Sequence, residues 1–234
     1  MQAAILAGGI GTRLKPLTEQ VPKVMVPVND KPFLMYLIEL LKSYEINDIV
    51  LCVGYLGDQV KDFFGDGDSL GVRIRYSEEK GKLLGTGGAL KQAQVLLDDQ
   101  FLAINGDTYL PIDYREVERV FFRRGKKALM VVYDNQEDTG VKNNIELDYD
   151  LRVIRYNKDT RSPNLQYVDA GVLALKKEAL DYLEEGCSIS LEKGLYPILI
   201  KQGQLAAYIS KQRFYDIGTL KQKRIFKEFL KKGA

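Results

Sequence analysis

Residues 6–18 read LAGGIGTRLKPLT and follow the apolar run AAIL at 3–6. Gly8, Gly9 and Gly11 fall within four positions at the end of a predicted strand. Glycines let a backbone turn tightly and bring amide N–H groups close to an anion, which is the physics of a phosphate cradle. A tight structural turn is the alternative that the bare motif leaves open. Two nucleotide signatures are excluded. A P-loop would need glycine where Leu14 stands, and a dinucleotide fingerprint would again need glycine at Leu14. Prolines at 16, 22, 27 and 32 prevent a regular helix from running through the residues after the glycines. The chain is therefore expected to cross the C-terminal edge of the sheet in extended conformation, at the edge where open α/β sheets bind ligands. Arg13 and Lys23 stand in this stiff stretch. Either alone reads as a solvated surface cation, but beside a glycine cradle an Arg can grip phosphate oxygens bidentately while a Lys adds a point charge.

Working outward, short apolar runs at 3–6, 48–53, 72–76, 101–105 and 126–133 alternate with helix-period segments at 32–45, 55–64 and 88–97. This βαβ rhythm predicts an α/β fold with a mainly parallel sheet flanked by helices. Beyond 133 the rhythm changes. Residues 143–157 alternate with period two around a turn at 148–150, predicting an antiparallel hairpin and a smaller sheet extension. A strand at 166–175, helices at 176–184 and 190–201, and a closing helix from 219 to about 232 complete the pattern. FFRRGKK at 121–127 interleaves aromatic and basic residues, but cations in a last helical turn before a capping Gly125 explain it without nucleic acid.

Composition narrows the chemistry. Lys and Arg number 34 and Asp and Glu 32, a balance that gives no support to nucleic-acid or membrane-surface binding. Folding 234 residues should bury roughly 70% or more of the unfolded surface, so Cys52 and Cys187 are expected as reduced core residues rather than a staple. With no leader at the N-terminus and no long apolar run, a cytoplasmic protein is expected. The sequence contains no histidine. Imidazole acid–base relays and histidine metal sites are therefore excluded, and any catalytic metal would be a hard cation on oxygen ligands.

Five segments together carry a resemblance: LAGGIGTRLKPLT at 6–18, PKVMVPVNDKPFL at 22–34, LGTGGAL at 84–90, INGDTY at 104–109 and FYDIGT at 214–219. In this order they resemble the nucleotidylyltransferases that activate sugar 1-phosphates. The resemblance implies a Rossmann-like domain over 1–234, with a nucleotide-binding part at 1–133 and a sugar-binding part at 134–234. It also implies the reaction of an NTP with a sugar 1-phosphate to give an NDP-sugar and pyrophosphate. That reaction needs no imidazole, because the attacking phosphate oxygen is already ionised at neutral pH.

By position, Arg13 resembles the residue that stabilises the departing pyrophosphate, and Lys23 the α-phosphate contact. Leu6, Ala7, Gly8, Gly9, Gly11 and Thr12 would form the nucleotide cradle. Gly85, Thr86, Gly87 and Gly88 would border the base and ribose, though as glycines before a helix they also read as ordinary loop residues. Asn105, Gly106 and Asp107 would close the nucleotide site, with Asp107 and Asp216 as ligands of Mg2+. Lys158 falls where relatives place a lysine near the sugar phosphate, although Asn157 stands where they usually carry Glu. Asp169 and Gly171 fall where relatives contact the sugar, and Asp169 in place of Asn would offer acceptors only.

The base is read from SEEKGKLLG at 77–85, which lacks the Gln that uridine- and thymidine-directed relatives often carry there. The pattern is closest to mannose- and heptose-1-phosphate guanylyltransferases, so GTP is favoured. A uridylyltransferase, a cytidylyltransferase for a non-sugar phosphate and a noncatalytic nucleotide-binding protein remain alternatives. Asp216 lies so near residue 234 that no appended β-helix domain is expected. The implied partners are an NTP and a sugar 1-phosphate, without nucleic acid or membrane, and self-association is left open.

Overall fold

In the computed structural model, which describes residues 1–159 and 162–233, seven strands form one mixed sheet. In chain order these are β1 (Gln2–Leu6), β2 (Asp48–Val53), β3 (Arg73–Glu78), β4 (Gln100–Asn105), β5 (Ala128–Tyr133), β6 (Val168–Lys176) and β7 (Leu205–Ser210). Their spatial order is β7-β5-β6-β4-β1-β2-β3. Every neighbouring pair is parallel except those made by β6, which runs antiparallel to both β4 and β5. The helices are α1 (Phe33–Ser43), α2 (Gly57–Phe64), α3 (Gly85–Ala93), α4 (Tyr114–Arg124), α5 (Leu191–Gly194), α6 (Tyr196–Lys201) and α7 (Leu220–Lys231).

The strands read as nearly unbroken apolar runs because both faces of the sheet are covered. Ala3, Ile5, Ile49 and Leu51 pack with Leu37 and Leu41 of α1 and Val117 and Phe121 of α4 on one face. Ala4, Val50, Cys52 and Ala103 pack with Leu90 of α3 and Leu195 and Leu199 on the other. Local signals set the helix ends. The Asp113 side chain accepts from Arg115 N at the start of α4, and Gly125, at φ 63°, caps its end ahead of the basic residues at 126–127. No helix among the described residues is long and apolar enough to cross a membrane.

Several elements differ from expectation. The stretch 12–32 is not simply extended. Three 3₁₀ turns, Thr12–Leu14, Leu17–Glu19 and Lys23–Met25, and a short ladder between Pro27–Val28 and Lys31–Pro32 carry the chain to α1. Single i→i+3 turns need only a few N–H donors, so they tolerate prolines that a longer helix cannot. The helix expected at 88–97 begins earlier, at Gly85, and yields to a 3₁₀ turn after Ala93. The segment expected as a helix at 176–184 is the 3₁₀ stretch Lys177–Tyr182, and that at 190–201 divides into α5 and α6. Strand β7 has no counterpart among the expected elements. The extension at 145–156 is a hairpin of Ile145–Leu147 with Val153–Tyr156, held by Asp148 accepting from Asp150 N and Arg152 N. Strands β6 and β7, from the second half of the chain, nevertheless rejoin the main sheet. Cys52 is buried as expected, whereas Cys187 is half-exposed, and both are free.

Candidate active site

The parallel strands β1, β2 and β4 end together, since Leu6 stands opposite both Cys52 and Asn105. Their following loops therefore converge at the C-terminal edge of the sheet, where α/β sheets bind ligands. A cavity of about 300 Å³ opens there. Leu6, Gly8, Gly9, Lys23, Gly85, Thr86, Asn105 and Asp107 line it, together with Cys52, Glu79 and Glu192. Gly9 faces open space, while at Gly8 a β-carbon would displace the Glu79 carboxylate. Gly106 is confined by backbone, because a β-carbon there would lie 2.6 Å from the Leu6 carbonyl oxygen.

A second cavity, of about 530 Å³, adjoins the first. Its walls carry Arg13, Lys158, Asp169, Gly171 and Asp216, and it shares Asn105 and Asp107 with the first cavity. Those two residues are thus the partition between them. Asp216 reaches it from the far end of the chain through a two-residue antiparallel ladder, with Asp216 opposite Thr108 and Tyr215 opposite Tyr109. Ile217 N donates to the Asp107 carbonyl at 3.1 Å and fastens the ladder. Helix α7 clamps it from outside. The Phe226 ring lies 5.1 Å, centroid to centroid, from both Phe33 and Tyr109.

At the partition Lys23 Nζ forms a hydrogen-bonded ion pair with Asp107 Oδ2. Asp216 Oδ1 accepts from Gly218 N at 2.7 Å. Burial pushes the Asp216 carboxyl above the ordinary carboxylate range, and the Asp107 charge adds to this despite the Gly218 N–H and the nearby Lys23 and Arg13 cations. The Arg13 guanidinium lies against Gly218, with Nη2 3.3 Å from where a β-carbon would stand. One cation and two carboxylates thus meet at the junction, with a second cation beside them.

Asp169 is aimed into the second cavity by an irregularity in β6. Between Asp169 and Leu173 the register with β5 shifts, and Gly171 within the bulge has φ 76°. Asp169 accepts from Gly171 N at 2.9 Å and from the Tyr156 hydroxyl at 3.2 Å. Burial raises its carboxyl, opposed by the Gly171 N–H and the Lys158 ammonium. Lys158 pairs with Glu192 of α5 at 2.5 Å, so its acidic partner comes from another element rather than from position 157.

Several candidates lie away from the cavity walls. Ala7 is buried and donates to the Cys52 carbonyl at 2.8 Å. Gly11 has φ 69° and packs against Thr18 and Lys23, Thr12 begins the first 3₁₀ turn, and Gly106 supports the partition from below. Gly87 and Gly88 donate to the Ile189 carbonyl at 2.9 and 3.1 Å and are buried against 187–190. They stand inside α3 rather than in a loop before it, and their glycine character follows from the close packing of that helix on the 187–190 segment. Glu79 and Glu192 are wall residues that the sequence does not mark as such. Glu79 sits in the segment read for base preference, and Glu192 is a first-turn helix acid that leaves no signal in sequence.

The nucleotidyl transferase family model matches residues 2–231. The chain belongs to this family. The transferase is 34% identical over 219 residues to D-glycero-alpha-D-manno-heptose 1-phosphate guanylyltransferase of Campylobacter jejuni, covering 94% of this chain and 95% of that one. It is 29% identical to UTP–glucose-1-phosphate uridylyltransferase of Synechocystis, of which it spans 61%. The crystal structure of HddC from Yersinia pseudotuberculosis complexed with GMP-PN superposes with a TM-score of 0.85 at 28% identity, covering 98% of this chain and 99% of that one.

Proposed function

We propose that the transferase joins the nucleoside monophosphate part of GTP to a sugar 1-phosphate of manno or manno-heptose type and releases pyrophosphate. The observation that carries this reading is the junction itself: two cavities meet at Asp107, where Lys23, Asp216 and Arg13 converge. The nucleotide occupies the glycine-loop cavity and the sugar 1-phosphate the second. An oxygen of the sugar phosphate attacks the α-phosphorus, and the bond from that phosphorus to the β-phosphate oxygen breaks as pyrophosphate leaves. Lys23 steadies the α-phosphate and Arg13 the leaving pyrophosphate, so crowded negative charge is met by fixed cations. Lys158, Asp169 and Gly171 hold the sugar phosphate and its hydroxyls.

Asp107 and Asp216 would hold Mg2+. Both are hard oxygen donors, and the Asp216 carboxyl is raised by burial, with the Asp107 charge adding to it, a cost of crowded buried charge that a divalent cation relieves. Among the described residues no group of three or more candidate ligands exists, which suits an ion completed by water and phosphate oxygens. When bound, Mg2+ supplies Lewis-acid polarisation of the phosphate and charge neutralisation.

Glu79 supports GTP. Its carboxylate lines the glycine-loop cavity, with one oxygen held by Leu84 N at 2.5 Å. Guanine presents adjacent N1–H and N2–H donors to such an acceptor, whereas the single N–H of uracil is flanked by carbonyl oxygens that a carboxylate repels. UTP is the second reading, favoured by the Synechocystis relative. Free cysteines and a nucleoside triphosphate substrate accord with a cytoplasmic reaction.

The test is magnesium-dependent pyrophosphate release across GTP, UTP, CTP, ATP and dTTP with mannose, heptose, glucose and N-acetylhexosamine 1-phosphates and phosphocholine. Release with GTP and a manno-type 1-phosphate is expected. Release with UTP alone overturns the base assignment, and silence from folded, nucleotide-binding protein overturns the catalytic reading.

A further inference from the structure

Glu192 lies between the two cavities. It lines the glycine-loop cavity and the narrow throat bounded by Leu6, Asn105 and Asp169, while its Oε1 is 2.5 Å from Lys158 Nζ on the wall of the second cavity. The segment that carries it is fastened to the nucleotide side. Ser188 Oγ donates to the Leu83 carbonyl at 3.0 Å, and Ile189 N to the Leu84 carbonyl at 2.8 Å. Gly87 N and Gly88 N donate to the Ile189 carbonyl, and Leu191 N donates to Thr86 Oγ1 at 2.9 Å. Leu83, Gly85 and Thr86 are themselves walls of the glycine-loop cavity. The place of Glu192 is therefore set by the first cavity, although the cation it holds belongs to the second.

Lys158 needs such a hold. A lysine ammonium is a compact charge on a stem with four rotatable bonds, and it stays where a partner fixes it. The Tyr156 ring offers a second contact, with Nζ 5.6 Å from its centroid. Burial raises the Glu192 carboxyl, but the hydrogen bond and charge of Lys158, helped by bonds from its own backbone N–H and from Ser190, keep it below its ordinary range. Asp169, the other carboxylate of the cluster, accepts from Gly171 N and the Tyr156 hydroxyl, so among the described residues Glu192 is the carboxylate that pairs with Lys158.

We propose that Glu192 is a positioning residue, which places the Lys158 ammonium for the sugar 1-phosphate from a segment anchored on the nucleotide wall. This rests on the functional reading above, in which Lys158 meets the sugar phosphate. The 83–88 and 188–192 segments then act as one strap, through which the first cavity sets the geometry of the second.

The test is steady-state pyrophosphate release by the full chain, with KM measured separately for the NTP and the sugar 1-phosphate in wild type, E192Q, E192D, K158A and E192Q/K158A. E192Q should raise the KM for the sugar 1-phosphate ~10-fold, the scale of one lost charge-assisted hydrogen bond, and leave the KM for the NTP within ~2-fold. E192D should recover part of the loss. In the K158A background, E192Q should add nothing further, because its effect passes through Lys158. An equal rise in both KM values, or additive losses in the double variant, would overturn the proposal in favour of direct nucleotide contact or a general structural role. An unchanged sugar KM in K158A would overturn it alone, whereas absence of turnover in wild type would overturn the functional reading with it.

Discussion

The two cavities share a partition but are walled by different means. The glycine-loop cavity is largely backbone and apolar surface, backed by Gly106, where a β-carbon would meet the Leu6 carbonyl. The second cavity is walled by charged and polar side chains from many elements: Arg13 near the start, Lys158 after the hairpin, Asp169 in the bulge of β6 and Asp216 before α7. A site made of backbone is specified locally, by residues that permit the turn. A site made of side chains is specified by whatever brings their carriers together, here a bulge, a two-residue ladder and the clamp of Phe226.

The sharpest way to break this contrast is at the partition. Asp107→Ala or Asp216→Asn should lower kcat for magnesium-dependent pyrophosphate release by ~10³-fold with the fold retained, since each carboxylate serves the transition state more than the packing. Near wild-type turnover in either variant would remove it from the reaction. Lys23→Ala should lower kcat by ~10²-fold, the scale for one fixed electrostatic partner of a developing charge.

On the backbone side, Gly106→Ala forces a methyl against the Leu6 carbonyl, and unfolding by denaturant should show a loss of about 1–3 kcal/mol. No loss would mean that the close approach relaxes freely and that the first cavity is less rigid than the second. Glu79→Gln, a side-chain change within the backbone-built cavity, should shift the ratio of kcat/KM for GTP over UTP by ~10-fold towards UTP. An unchanged ratio would mean that backbone alone reads the base.

The smallest effect concerns pH. Because burial raises the folded-state pKa of Asp216 above its unfolded value, its contribution to stability is greatest in acid and is lost as pH rises through the folded value. Asp216→Asn should therefore melt slightly above wild type at neutral pH while remaining inactive. Turnover by wild type should fall on the acid side at a pH above the ordinary carboxylate range, as Asp216 takes up its proton. A lower melting midpoint for the variant at pH 7 would show that the charged carboxylate stabilises the ladder.

Much of the first cavity is legible in the sequence. Gly8, Gly9, the prolines that exclude a helix and the apolar strand ends all mark local conformation, which short windows of sequence encode directly. Gly87 and Gly88 show the limit of that signal, since a glycine needed for packing against Ile189 reads the same as one needed for a ligand. The extended path expected for 12–32 fails because prolines exclude long helices without choosing between extended chain and single 3₁₀ turns. Strand β7 is hidden because LAAYIS at 205–210 follows two short helices that read as one longer helix.

By itself the sequence determined the α/β rhythm, the glycine loop, the absence of imidazole chemistry and the kinds of residue available to a phosphate-handling site, all of which depend on composition or on near neighbours. Only the tertiary structure decided that Asp216 stands beside Asp107, that β6 runs antiparallel with Asp169 on its bulge, and that Lys158 takes its partner from α5. Those placements come from long-range packing, in which the burial of Phe226 against Tyr109 or the stitching of Ile189 to Leu84 outweighs any preference the separate segments have.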